Sequence, residues 1–284
     1  METHRRTRMA RGEIGDALWE RATREPCELL RPHVRSLVGF DEWLPRPQSR
    51  RQFPEPFVVL IVEFGAPLRV TLGGDGRTAG RHPGGFVAGL GDAFAVTEHQ
   101  GRQRGVQVDL TPTGARRLFG MPLSQIAGRV VALRDLLPAE SRTLAERLDA
   151  ASDWSARLSL VEDLLARRIL SARVDTARVD WAVAQIDASG GRVDVGQLAQ
   201  DLGHSHKHLI ALFHDQVGVT PKLLARLVRF ERVIRHARDS PISWAELALA
   251  HGYFDQAHLA RDVRRFTGLT PTEARPDLSA LGPR

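Results

Sequence analysis

The 284-residue chain is 42% apolar and 26% charged, a balance that fits a folded protein of two ordinary domains and excludes a disordered or collagenous chain. Its net charge of +6 rests almost wholly on arginine, since Lys207 and Lys222 are the only lysines, and that permits nucleic-acid binding without requiring it. The longest apolar run, residues 57–62, is too short to span a membrane, no secretory apolar stretch opens the chain, and the lone Cys27 excludes an internal disulfide or a cysteine-built zinc cluster, so a soluble cytoplasmic protein is expected.

In chain order, residues 1–12 carry Arg5, Arg6, Arg8 and Arg11 without apolar periodicity, and the first 25 residues read as a mobile tail. From residue 40 to about 110 the runs FVVLIVEF, PLRVTL, GGFVAGL and RGVQVDL, punctuated by Pro and Gly, predict an antiparallel sheet or small barrel. A Gly-Gly-Asp-Gly stretch at residues 73–76 is the best hairpin candidate. Helical text follows over 113–170, with GARRLFG and then Leu144, Leu148, Leu158, Val161, Leu164 and Leu165 at helix spacing. Residues 26–172 are thus expected to form an α+β domain, rich in β structure, with a polar linker at 171–176. From residue 178 onward, compact stops at 189–191, 202–203, 218–221, 240–241, 251–252 and 268–271 leave room for seven short helices, an all-α domain over 178–277.

Within that domain, VDVGQLAQDLGHSHKHLIALF reads as a helix-turn-helix unit. Asp194 is placed to cap the first helix, with Gln197 completing a capping box, and Leu198, Ala199 and Leu202 form its inner face. Gly203 supplies the left-handed turn between two steeply crossing helices. Ser205 caps the second helix, whose buried face is Leu209, Leu212 and Phe213, so His206, Lys207, Ile210 and Ala211 face outward where a recognition helix meets base edges. The same grammar returns 49 residues later in ISWAELALAHGYFDQAHLARDVRRF. There Ser243 and Glu246 make the capping box, Gly252 the turn and Asp255 the second cap. Leu259, Val263 and Phe266 point inward, and Gln256, His258 and Arg261 outward. Arginine suits guanine O6 and N7, and glutamine suits adenine N6 and N7. Between the units, Leu223, Leu227, Phe230, Ile234 and Ala237 stripe one face of a helix over 221–236, roughly 24 Å long, a strut able to hold two recognition helices toward successive major grooves.

On these motifs, and most specifically on the tail GYFDQAHLARDVRRFTGLTPTEA, residues 178–276 resemble the DNA-binding domain of the AraC/XylS family of transcription regulators. The resemblance implies seven helices, two helix-turn-helix units and a joining helix from Pro221. It places DNA-contacting positions at Ser205, His206, Lys207, Ile210 and Ala211 in the first unit and at Asp255, Gln256, Ala257, His258 and Arg261 in the second. Ile210 and Ala211 depart from the polar residues and arginine common there; they can touch thymine methyls but offer no hydrogen bonds. The order of segments also resembles members with an N-terminal sensing or dimerising domain, often cupin-like. Double-stranded DNA is the implied partner, with RNA polymerase, a small-molecule effector and a second copy of the chain as further candidates. No cofactor is expected: His4, His33, His82 and His99 are isolated, without the His-x-His pair of a metal-binding cupin.

Several features admit plainer readings. Of the string His204, His206, His208, only the first and last have the spacing to share a helix face, and solvent- or phosphate-facing histidines are the simpler account. Arg226, Arg229, Arg232, Arg235 and Arg238 spiral around the strut instead of forming one stripe. Some would touch phosphate and others pair with Glu231 and Asp239. Trp244 reads as a packing residue. His99, Asp92 and Glu98 form no nucleophile–base pair, and GGDGRTAG lacks the Lys-Ser/Thr ending of a phosphate loop. Arg50, Arg51, Arg69 and Arg81 could serve an acidic effector or only surface charge. The alternatives to a regulator are an enzyme in the N-terminal half fused to a DNA-binding module, and an architectural protein whose helical half binds protein.

Overall fold

The computed structural model describes residues 6–73, 78–240 and 242–280. Nine antiparallel strands form the N-terminal half: β1 (Arg8–Ile14), β2 (Ala17–Arg24), β3 (Val34–Gln52), β4 (Val58–Glu63), β5 (Arg69–Leu72), β6 (Thr78–Arg81), β7 (Phe86–Ala88), β8 (Ala95–Leu110) and β9 (Val130–Ala132). They run in the order β1-β2-β3-β8-β4-β7-β9, with β5 paired to β8 and β6. The four expected runs fall on β4, β5, β7 and the second half of β8. Residues 74–76 of the expected hairpin turn lie outside the described residues; the flanking β5 and β6 pair antiparallel.

Residues 8–24, expected as mobile tail, are instead an edge hairpin in register with β3. What fixes it is Arg24, only 7% exposed. Its guanidinium donates to Ser159 Oγ at 2.8 Å, Ser155 O at 2.9 Å and Thr7 Oγ1 at 3.0 Å, and pairs with Glu162 at 3.4 Å. A charge withdrawn from water this far needs such a set of partners. β3 was also illegible, since Pro45 and Pro47 break any alternation. The ladder with β8 shifts register between Leu44 and Gln48, and the two prolines sit in that interruption, where no ladder donor is lost.

The helices α1 (Pro112–Phe119), α2 (Leu133–Leu136), α3 (Pro138–Ala150) and α4 (Trp154–Ser171) cover one side of the sheet. Thr111 Oγ1 caps α1 by accepting from Gly114 N at 3.1 Å, and Asp153 caps α4 by accepting from Ala156 N at 2.8 Å. Val106, Val108 and Leu110 of the sheet are buried in one continuous apolar core with Leu158, Val161 and Leu165 of α4, and that core extends unbroken into the C-terminal half. Residues 172–176 do form the connection, yet it is packed: Thr176 is fully buried, and Gln216 Nε2 donates to Asp175 O at 3.0 Å. Among the described residues, no helix is long and apolar enough to cross a membrane.

Glu63, at the end of β4, is 1% exposed. Its Oε1 accepts from Leu68 N at 3.1 Å and Gln103 Nε2 at 3.3 Å, but burial outweighs both bonds and pushes its carboxyl up from 4.5 to about 7. Because the folded value lies above the unfolded one, this group's contribution to stability is present in full below pH 4.5 and is lost as pH rises through about 7. At ~1.4 kcal/mol per pKa unit the swing is about 3 kcal/mol. Glu63→Gln should therefore match the parent near pH 4.5 and exceed it by about that amount at pH 8 in urea unfolding; parallel pH profiles would contradict this.

Candidate nucleic-acid interface

Seven helices follow: α5 (Ala177–Ala188), α6 (Val195–Asp201), α7 (His206–Gln216), α8 (Pro221–Asp239), α9 (Trp244–Ala250), α10 (Gln256–Thr267) and α11 (Pro271–Ala280). In the first unit, Asp194 caps α6 by accepting from Gly196 N at 2.6 Å and Gln197 N at 3.2 Å. The expected capping box does not close, because the Gln197 amide turns one helical turn forward and donates to Asp201 Oδ1 at 2.8 Å. Gly203, at φ +67°, makes the turn, and Ser205 Oγ accepts from His208 N at 3.2 Å to open α7. In the second unit the Ser243–Glu246 capping box is complete. Gly252, at φ +70°, turns the chain, and Asp255 Oδ1 opens α10 by accepting from His258 N at 2.6 Å. A non-glycine residue is strained at either turn.

α10 buries its expected face, Leu259, Val263 and Phe266, and α7 buries Leu209 and Phe213, while Leu212, expected with them, is only partly buried. Their opposite faces open to solvent. Ser205, His206, Lys207, Ala211, Asp255, Gln256, Ala257 and Arg261 are exposed, while Ile210 and His258 are half-buried. His258 rests edge-on against the Tyr253 ring at 5.1 Å. His204 and His208 meet edge to face at 4.3 Å. No group of three or more metal-ligating side chains gathers among the described residues.

The arginines of α8 behave otherwise than a phosphate-gripping row. Arg226 Nη2 donates to Asp262 Oδ1 of α10 at 2.6 Å, Arg229 Nη2 to Gly191 O at 2.7 Å, and Arg232 to Asp187 O. Arg235 pairs with Glu231 at 2.6 Å and Arg238 with Asp239 at 3.7 Å. Three of the five thus fasten the strut to its neighbours. The apolar side of α8 is centred on Leu224, Leu227, Val228, Phe230 and Val233, with Leu223 and Ile234 only partly buried beside it. Trp244 is half-buried, as a packing residue would be, with the Arg275 guanidinium 5.6 Å from its ring.

The far ends of α7 and α10 dock on the N-terminal half. Arg116 of α1 reaches Asp215 of α7 at 3.1 Å. At α10, Arg265 Nε donates to Asp92 Oδ2 at 2.8 Å and Arg51 Nη1 to Thr267 O at 2.8 Å, while the Arg51 guanidinium lies 4.3 Å from the Phe94 ring. Arg50 is engaged as well, donating to Glu42 Oε2 at 2.9 Å.

The sequence reading missed two strongly exposed apolar residues of the second helix-turn-helix unit. Phe254 is 93% exposed and Leu249 82% exposed. The signal for Phe254 was a length difference: Gly203 and Ser205 are separated by one residue, Gly252 and Asp255 by two. Phe254 is the residue immediately before the cap of α10.

Two families match the chain, a helix-turn-helix domain over residues 198–276 and a domain of unknown function over residues 22–132. The chain is 27% identical over 214 residues to the HTH-type transcriptional regulator GlxA of Rhizobium meliloti (strain 1021), a match that covers 70% of this chain and 65% of that protein's length. An AraC-type DNA-binding-domain regulator from Chromobacterium violaceum aligns with 37% of this chain and 95% of its own, at 23% identity and a TM-score of 0.34. ToxT of Vibrio cholerae aligns over 86% of this chain and 98% of its own, at 10% identity and a TM-score of 0.46.

Asp262 was not expected to matter, yet its side chain is 4% exposed and joins α10 to the strut through Arg226, itself 31% exposed. Breaking a fully buried pair costs about 3–5 kcal/mol. With one partner partly solvated, Asp262→Ala should lower unfolding free energy by about 2 kcal/mol, with a urea titration as the check and a change below ~0.5 kcal/mol as the contrary result.

Proposed function

We propose that the chain is, by its C-terminal domain, a regulator of the AraC type, and that it reads double-stranded DNA by setting the opening turns of α7 and α10 into successive major grooves. One contrast carries this reading. Lys207, Gln256 and Arg261 have no hydrogen-bond or ion-pair partner among the described residues, whereas the α8 arginines are engaged within the protein. Unpaired polar groups at the positive ends of two capped helices suit phosphate and base edges. The second unit carries most of the hydrogen-bonded discrimination through Gln256 and Arg261. The first supplies Lys207 and the apolar Ile210 and Ala211. The β-rich half serves as a sensing or dimerising module for a small-molecule effector, and RNA polymerase and a second copy of the chain complete the set of partners. The protein works as a regulator rather than as an enzyme.

Selection from a randomised duplex pool at moderate salt should return two short sequence blocks about one helical turn apart; retention of DNA without any motif would overturn dual-groove reading. On the recovered site, Arg261→Ala should relax preference at one base pair by about 1–3 kcal/mol. An equal loss on every sequence would remove it as a reader.

Phe254 adds an apolar contact beside the second recognition helix, against deoxyribose or a thymine methyl. Burying much of a phenylalanine is worth about 1.5 kcal/mol. Phe254→Ala should thus weaken binding roughly tenfold while leaving the slope of log affinity against log salt unchanged, since no phosphate contact is lost. Unchanged affinity would show that the ring stays in solvent.

A further inference from the structure

A groove of about 650 Å³ opens where α1, the end of α4 and the interdomain connection converge, a volume suited to a small molecule. Its walls carry four arginines, Arg116, Arg117, Arg168 and Arg173, and no acidic side chain. Two of the charges are balanced from outside the groove, Arg116 by Asp215 and Arg168 by Glu140, whose Oε1 accepts at 2.8 Å. The other two make no direct ion pair among the described residues. Arg117 Nε donates to the neutral Thr176 Oγ1 at 3.1 Å, and the exposed Arg173 has no partner among the described residues. The Arg117 guanidinium is held in place from behind, because the hydroxyl of the fully buried Thr176 in turn donates a hydrogen bond to Asp180 Oδ2 at 2.7 Å. Basic residues in the last turns of α1 and α4 suit the negative ends of those helices. That accounts for Arg116, Arg117 and Arg168, but not for Arg173, which lies past the end of α4, nor for walls free of carboxylates.

We propose that this groove binds a small polyanion, a molecule with two or more carboxylate or phosphate groups bridging Arg117 and Arg173. Guanidinium forks recognise such groups by paired, charge-assisted hydrogen bonds. DNA phosphate is not the occupant. The groove adjoins Arg116, which holds the C-terminal end of α7 through Asp215, whereas the reading surface is at the opposite end of that helix, about 16 Å away for 11 residues. Three of the four arginines of the sheet are already engaged, Arg50 by Glu42, Arg51 by Thr267 and Arg69 by Glu98 at 3.9 Å, which leaves Arg81 without a second basic group to bridge a polyanion. Thr176 is also the residue before α5. A ligand gripped by Arg117 and Arg173 therefore draws together α1, the connection and the first helix of the DNA-binding half. That position makes it an effector, a role that rests on the DNA-reading function proposed above.

The test is isothermal titration calorimetry of the full chain at fixed ionic strength, with pyrophosphate and citrate titrated separately to distinguish phosphate from carboxylate recognition. One saturable site per chain is expected for at least one of them. Arg173→Gln should weaken it tenfold or more, and Arg173 has no partner among the described residues, so the unliganded variant should keep the parent's melting temperature. Lys207→Ala with Arg261→Ala should leave binding intact. No saturable binding, or binding that Arg173→Gln leaves unchanged, overturns the site. A second measurement compares operator affinity with and without the bound anion at matched ionic strength. A change of threefold or more in the parent that vanishes in Arg173→Gln supports the effector role; binding without any such change overturns that role while the calorimetric site stands. Failure of the protein to select a DNA motif would leave the calorimetric result unaffected, so the two readings fail separately.

Discussion

Phe230 is the joint between the two halves of the molecule. Its fully buried ring meets Phe53, just after β3, edge-on at 6.4 Å and Phe266 of α10 at 4.9 Å. The strut helix thereby packs on the sheet side and on the second recognition helix with one side chain. Polar contacts surround this aromatic joint: Arg226 with Asp262, and Glu231 with both Arg235 of its own helix and Arg35 of the sheet, the last at 3.4 Å. The partly solvated pairs of Glu231 add little energy alone and the Arg226–Asp262 pair adds more, whereas packed aromatic rings combine large buried area with a directional preference. The orientation of α10 relative to the sheet follows from the rings, and the ion pairs then find their partners already in reach.

That arrangement explains what the α8 arginines do. Arginine every third residue on a helix looks, in one dimension, like a basic surface. In three dimensions α8 has neighbours on several sides, and side chains spiralling around it meet Asp262, the Gly191 carbonyl and the Asp187 carbonyl in turn. Much of the chain's positive charge is used in this way, inside the protein. On the DNA-reading function proposed above, α8 therefore adds little to the surface offered to DNA, which rests instead on side chains of α7 and α10 such as Lys207, Gln256 and Arg261.

The helix-turn-helix units were legible because each depends on interactions within about twenty residues. A cap, a glycine turn and an apolar stripe are all written locally. Even there the reading erred where two local partners competed, as when Gln197 chose Asp201 over the backbone of Asp194. The β1–β2 hairpin was illegible for the opposite reason. Arg24 finds Ser155, Ser159 and Glu162 more than 130 residues away, and nothing near it in sequence announces that a charged residue will be buried. β3 hid behind its two prolines, which only a register shift makes compatible with a long strand. Phe254 could have been found by comparing the lengths of the two turns, a difference of one residue that the likeness of the flanking motifs concealed.

α7 and α10 are anchored differently, and on the DNA-reading function proposed above this bears on how a signal in the N-terminal half would reach DNA. α7 is tied to α1 through Asp215 and Arg116, next to the connection. α10 is tied to the sheet itself through Asp92, Arg51 and the ring of Phe94. Gly268 closes α10 at φ +73° with Phe94 so near that an added Cβ would lie 2.4 Å from its ring, so the contact has no slack. A small displacement between sheet and α1 would therefore move the two helices by different amounts. Reading two grooves at once requires their separation to match the pitch of the duplex, roughly 34 Å. On the DNA-reading function proposed above, a domain that shifts one anchor against the other would control binding through that spacing, without touching a single side chain of the reading surface.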